Sequence, residues 1–209
     1  MRVGTWANRK RPLRVAIALT AGGLGIMTLA LFGALPSIAD PWGTNTAATG
    51  AHPDEDPHTY CIESSLGGEL GPNVSEAEWQ AADPTEVNVN GPQGCNYSGA
   101  GETDVVWREG SAGGALGETF CEDFESSSNQ CDQSYVTLNL AVINQGINDE
   151  IDQSITTCHE LGHTLGLTHG QSADQDDCMR NVSTSDPPNN IKWRRYGAHH
   201  INAHINPWF

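Results

Sequence analysis

Hydrophobic residues recur at helical spacing in one long segment of the C-terminal half. Ile151, Ile155 and Cys158 lie three or four residues apart, and Leu161 and Leu165 continue the pattern. This spacing predicts a helix over residues 149–165 with a single apolar face. Asn148 stands where a residue could cap its first turn. The apolar face of this helix is expected to form part of the core.

β-branched and aromatic residues concentrate in three shorter segments, at residues 87–89, 104–107 and 135–140. This composition is typical of strands, and the last segment also alternates between apolar and polar residues. Glycine- and serine-rich stretches between residues 91 and 130 predict long loops.

Two further helices are expected. Ser75 with Glu78 three residues later predicts a short helix over residues 75–82. Residues 196–205 are expected to form a closing C-terminal helix. Helices and strands together predict an α+β fold.

The N-terminus has the pattern of an export signal. Five basic residues and no acidic ones occupy residues 1–14, an apolar run covers residues 15–35, and Ser37-Ile38-Ala39 offers small residues for cleavage after Ala39. We expect residues 1–39 to be a signal peptide. The apolar run is also long enough to span a bilayer as an uncleaved anchor. In either case the remaining chain lies outside the cytoplasm, as a secreted or membrane-anchored protein.

Composition divides the remainder into two parts. Residues 40–58 are rich in Pro, Gly, Thr, Ala and acids, which predicts a flexible acidic linker. Residues 59–209 are numerous enough for one domain with its own core.

The chain beyond residue 39 is strongly acidic, with five basic residues and all 26 acidic residues of the sequence. Such a surface repels phosphate, so nucleic acid is excluded as a partner, and membrane contact is expected only through an uncleaved N-terminal segment.

The predicted helix 149–165 ends in a run of potential metal ligands. From His159 to His169 the chain reads HELGHTLGLTH, which has the form HExxHxxGxxH. His159 and His163 share one helix face and can bind one ion through imidazole nitrogens at about 2.0–2.1 Å. Gly166 can adopt a positive φ, so the chain can turn back and bring in His169 as a third ligand.

Glu160 has a different role in this pattern. Its side chain is offset by about 100° from that of His159, beside the metal's open position. It is therefore predicted to be a general base acting on water rather than a ligand. Three protein ligands leave the fourth zinc position open, which is typical of catalytic sites. Helix-face histidines without a metal are the alternative, but five specified residues at fixed offsets rarely coincide by chance.

The motif resembles that of the metzincin clan of zinc endopeptidases, and most closely the secreted bacterial matrixin-like peptidases. Two short stretches strengthen the likeness, Thr157-Cys158-His159-Glu160 and Asp177-Cys178-Met179. Met179 lies ten residues after His169 and matches the methionine turn beneath the metal in that clan. The resemblance implies a twisted mixed sheet, an active-site helix, a Met-turn and a C-terminal helix. It also implies peptide hydrolysis at one catalytic Zn²⁺, with residues 135–140 as the strand that aligns the substrate.

Six cysteines in an exported chain predict three disulfides, for which fifteen pairings are possible. A Cys158–Cys178 bond would join the metal helix to the methionine turn and is the favoured pair. Cys121 and Cys131 would then close a short local loop, and Cys61 and Cys95 would tie the start of the domain to its middle. A cysteine ligand for zinc competes with this interpretation, but an oxidising compartment consumes thiols.

The expected partner is a protein or peptide substrate, and the protein is expected to be a monomer. Residues 174–177 could hold a structural Ca²⁺, although they lack EF-hand spacing. The alternative function is a catalytically silent exported module that binds a protein and uses the zinc helix as a rigid support. Glu160 argues against this alternative, because a site that only binds has no need of a base.

Overall fold

The sheet consists mainly of parallel strands. A computed structural model describes residues 51–54, 57–146, 148–167, 177–179 and 191–209, and these form six strands of one sheet. Four run parallel to their neighbours, in the order β3 (Val89–Gln93), β2 (His58–Ile62), β4 (Val105–Glu109), β6 (Gln130–Leu138). The short β1 (His52–Pro53) is also parallel to β6, whereas β5 (Gly117–Glu125) is antiparallel to β6.

The helices supply the other side of the core. The two long ones are α1 (Gly71–Ala82) and α3 (Asp149–Thr164), which contact each other, and α3 also contacts β5 and β6. The short α2 (Leu140–Ile143) follows β6. Near the C-terminus a 3₁₀ turn (Ile191–Arg194) precedes α4 (Ala198–His200) and a π-helical turn (Ile201–Ile205). The expectation of a fold with both helices and strands is therefore confirmed.

One hydrophobic core fills the space between the sheet and the long helices. Trp107, Val136 and Leu138 contribute from the sheet, and Leu161 and Leu165 from α3 and its end. All five are fully buried. The periodic apolar face of α3 thus packs where its spacing predicted, and it fixes the orientation of the residues between its apolar positions.

Several elements differ from expectation. The strands expected at 87–89 and 135–140 cover Val89–Gln93 and Gln130–Leu138, and the closing helix expected over residues 196–205 is divided into α4 and a π-helical turn. The long loops expected between residues 91 and 130 contain β5, a nine-residue strand. Its exposed acidic residues conceal the strand pattern, because an edge strand needs only one buried face. Helix α1 begins at Gly71 rather than Ser75, since Pro72 suits the first turn of a helix, where its missing N–H is not needed.

Strand pairing begins before residue 59. His52 and Pro53 pair with β6, and His58 is a buried residue of β2. Ala51 packs near Cys121 and Cys131. A linker was expected over residues 40–58. The residues of this segment that pair or pack in this way are therefore part of the folded domain. Residues 1–50 lie outside the described part of the chain, and no helix within that part is long and apolar enough to cross a membrane.

Three disulfides are present, as expected for an exported protein. They join the pairs favoured from the sequence, Cys61–Cys95, Cys121–Cys131 and Cys158–Cys178. The first links β2 to the segment after β3, the second links β5 to β6, and the third links α3 to the turn containing Met179. No free cysteine remains.

Candidate metal and catalytic site

Helix α3 brings two histidines to one point. The Nε2 atoms of His159 and His163 lie 3.2 Å apart, and their rings are perpendicular with centroids 4.7 Å apart. A spacing of four residues places them one above the other on the same helix face. His163 is buried and His159 is partly exposed. The pair therefore forms a small polar centre at the edge of the core.

The other ring nitrogen of each histidine is held by the backbone. His159 Nδ1 lies 2.8 Å from the Cys178 carbonyl oxygen, and His163 Nδ1 lies 2.8 Å from the Leu167 carbonyl oxygen. A carbonyl can only accept, so each Nδ1 carries the proton and donates it. In the neutral imidazoles both Nε2 atoms are then acceptors. Two acceptors at this distance repel each other unless a cation lies between them.

The separation of these nitrogens fits a tetrahedral zinc ion. Zn–N bonds of about 2.05 Å at the tetrahedral angle place two ligand nitrogens about 3.3 Å apart. Hydrogen bonds from Nδ1 to carbonyls are also the usual means of orienting zinc-bound histidines. The two described histidines therefore fit the ion that the motif implies.

The third expected ligand, His169, lies outside the described residues. Within the described ranges no group of three or more His, Cys, Asp and Glu side chains is placed to hold a metal ion. The end of α3 is nevertheless described. Gly166 has φ of 86°, Gly166 N–H donates to His163 O and Leu167 N–H donates to Gly162 O. This is the Schellman arrangement, and the prediction that Gly166 ends the helix with a positive φ is confirmed.

Glu160 is held against β5. Its side chain is buried, and its Oε2 accepts a hydrogen bond of 2.7 Å from the Thr119 hydroxyl. Gly117 makes room for it, because a Cβ there would lie 2.6 Å from Glu160 Cγ and 2.7 Å from Oε1. Burial raises the pKa of Glu160 to about 7; the Thr119 hydrogen bond lowers it and the Glu118 charge raises it. Sequence reasoning missed Gly117 and Thr119, since pairing of distant segments brings them to Glu160.

Met179 lies against α3. It is fully buried, and a Cβ on Gly162 would come within 2.2 Å of its sulfur. Gly162 therefore provides the space for Met179 one residue before His163. Its function was not recognised in the sequence, although a glycine in the interior of a helix is a signal of close packing.

Asp177 is the only described residue of the segment considered for Ca²⁺, since residues 174–176 lie outside the described part. Its side chain is fully buried. It accepts hydrogen bonds from the backbone N–H groups of Met179 and Gly197. These contacts give Asp177 a role within the turn that contains Met179, and the calcium site stays a prediction.

The strand expected to align a substrate is paired on both sides. Residues 134–138 of β6 pair with β4 on one side and with β5 on the other. That assignment is wrong, because the main-chain groups of β6 are already used by its neighbours. Among the described residues, β5 pairs only with β6 and so forms an edge of the sheet next to Glu160.

A scan against protein-family models and a search of curated proteins found no match for this chain. The chemistry of the site is therefore inferred from its own residues.

Proposed function

We propose that this chain is an exported zinc-dependent endopeptidase of the metzincin kind. The main support is the pair of Nε2 atoms 3.2 Å apart, each made an acceptor by a carbonyl at its Nδ1. His159, His163 and His169 are the proposed ligands. Three disulfides and the acidic composition agree with an exported protein.

A zinc ion bound by these histidines would supply Lewis acidity, lowering the pKa of a water molecule and polarising a substrate carbonyl. The protein's own contribution is to hold the two described imidazoles in the correct tautomer. The carbonyls of Cys178 and Leu167 do this, because each fixes the proton on Nδ1 and leaves Nε2 as the acceptor that would bind zinc.

Glu160 is the proposed general base. Thr119 donates to Oε2, so Oε1 is the atom assigned to take the proton from water and return it to the leaving amine. With a pKa of about 7, Glu160 is about half ionised at neutral pH, and a cation nearby would favour the carboxylate. Burial between α3 and β5 also keeps the side chain in one position.

The edge of β5 is the proposed binding surface for the peptide backbone. An extended peptide can add to an exposed sheet edge through main-chain hydrogen bonds. Thr119 and Gly117 belong to this strand and contact Glu160 directly. A peptide paired with β5 would therefore pass next to the general base.

The proposed function is tested by Glu160→Gln, with Glu150→Gln as the matched control. Both variants remove one carboxylate from α3, but Glu150 is exposed in the first turn of the helix and is not assigned to the reaction or to substrate binding. Glu160→Gln is expected to reduce casein cleavage by about 100-fold or more while zinc content stays at one per chain. Glu150→Gln should keep most of the activity.

Each other result has a distinct meaning. Unchanged cleavage in Glu160→Gln would refute the assignment of the base. Zinc bound by the wild type without cleavage of any peptide would favour the silent binding module.

A further inference from the structure

The turn that contains Met179 is held from two sides. On one side the Cys158–Cys178 disulfide joins it to α3. On the other side it contacts the C-terminal segment that begins at Arg195, whose carbonyl oxygen accepts a hydrogen bond of 3.0 Å from the Cys178 N–H. Tyr196 extends this contact to α3, since its hydroxyl donates to the Cys158 carbonyl at 3.0 Å. The C-terminal segment thus contacts both residues of the disulfide.

Asp177 is the centre of this arrangement. Its Oδ1 accepts a 2.9 Å hydrogen bond from the Met179 N–H, and its Oδ2 accepts a 3.1 Å bond from the Gly197 N–H. Oδ2 also accepts a hydrogen bond from His200 Nδ1. Both side chains are fully buried. Three hydrogen bonds hold this buried carboxylate in one position, because the loss of any one of them would leave its negative charge less well stabilised in the core.

The turn contacts His159 directly. The carbonyl oxygen of Cys178, between Asp177 and Met179, accepts the hydrogen bond from His159 Nδ1. A displacement of the turn would therefore move the group that orients His159. Removal of a group that orients a metal ligand typically lowers the metal affinity by about 10- to 100-fold.

We propose that Asp177 and His200 are positioning residues for His159, and that they couple the C-terminal segment to metal retention. His200 donates to Asp177, Asp177 fixes the turn, and the turn holds the carbonyl that orients the imidazole. This inference rests on the proposed metal site. It assigns a function in metal binding to residues that lie outside the HExxHxxGxxH motif.

The test compares two substitutions of His200 in the full chain. Asparagine places an amide nitrogen close to the position of Nδ1 and can still donate to Asp177, whereas leucine cannot. The first measurement is the rate at which Zn²⁺ passes to a chromogenic chelator. The second is the visible absorption of the Co²⁺-substituted protein, which responds to ligand geometry.

The expected result is zinc release about 10- to 100-fold faster in His200→Leu than in the wild type, with an altered Co²⁺ spectrum. His200→Asn should restore most of the wild-type rate and spectrum. Equal release rates in the wild type and His200→Leu would overturn the inference. So would equal acceleration in the leucine and asparagine variants, because the donor would then not matter.

Gln133→Leu is the control for general destabilisation. Gln133 is also buried, and its Nε2 donates to the carbonyls of Asn96 and Thr103, away from the metal helix. Gln133→Leu should leave the rate of zinc release unchanged even if it lowers the stability of the protein. Zinc release as fast in Gln133→Leu as in His200→Leu would refute a specific coupling.

If His200→Leu does not fold, Asp177→Asn replaces it, since this change keeps the volume but removes one acceptor oxygen. Faster zinc release in Asp177→Asn would support the coupling, and wild-type release would refute it. A wild type that binds no zinc would refute the proposed function, whereas a wild type with one zinc and variants that keep it equally well would refute the coupling alone.

Discussion

Replacement of Gly162 by alanine would introduce a methyl group where the sulfur of Met179 lies. The added Cβ would be 2.2 Å from Met179 Sδ, and 3.1 Å from both Met179 Cε and Tyr196 Cε1. Contacts between nonbonded atoms of this size lie at about 3.5–4.0 Å. The sulfur would therefore have to move by more than about 1 Å.

The size of the effect follows from two opposing contributions. In the interior of a helix, alanine is favoured over glycine by about 1 kcal/mol. Overpacking of a core typically costs about 1–3 kcal/mol. Met179 is fully buried and Tyr196 nearly so, so neither side chain can give way into solvent and the upper end of this range applies. We expect a net loss of about 2 kcal/mol in the free energy of unfolding.

Urea unfolding of the metal-free protein, followed by far-ultraviolet circular dichroism, measures this change. The urea concentration at the midpoint of unfolding should fall, while the dependence of the unfolding free energy on urea concentration should stay the same. Gly71→Ala is the control, because no atom lies within 4 Å of a Cβ built at this first residue of α1. Its midpoint should be unchanged or slightly higher. A Gly162→Ala protein as stable as the wild type would refute the close packing of Met179 on α3.

Three further predictions concern the catalytic glutamate, a buried acid and a disulfide. Gly117→Ala should displace the Glu160 carboxylate and lower kcat for peptide cleavage by about 100-fold with zinc content unchanged; full activity would contradict the contact. Burial raises the pKa of Glu78 to about 8 from 4.5, so the folded state holds a proton that the unfolded chain has released. The free energy of unfolding of the wild type should therefore fall as the pH rises from the lower of these two pKa values to the higher. The fall should be smaller in Glu78→Gln, and the same dependence of the urea midpoint on pH in both proteins would contradict this. Replacement of Cys121 and Cys131 by serine should cost about 2–4 kcal/mol of unfolding free energy. Zinc content should be unchanged, because this disulfide joins β5 to β6 and not the helix that carries His159 and His163; a fall in zinc content would contradict this.

The parts that could be predicted from the sequence depend on local spacing. The apolar periodicity of α3 and the four-residue interval between His159 and His163 are properties of a single helix, so the sequence sufficed to place both imidazoles on one face. The positive φ at Gly166 belongs to the same segment. The position of His169 stays a prediction, because it lies outside the described residues.

The parts that could not be predicted depend on contacts between distant segments. β5 is separated from α3 by more than twenty residues, and its place beside Glu160 is set by pairing with β6. The same holds for Asp177 and His200, which are 23 residues apart and meet only when the C-terminal segment packs against the methionine turn. No local pattern marks either contact.

The most direct test of the proposed zinc peptidase is the metal content of the purified exported chain, measured together with casein cleavage before and after treatment with a chelator. We predict one zinc per chain, loss of both zinc and cleavage with the chelator, and recovery of both when zinc is added back. A chain that binds no zinc at neutral pH, or that cleaves casein equally well after the metal has been removed, would contradict the account.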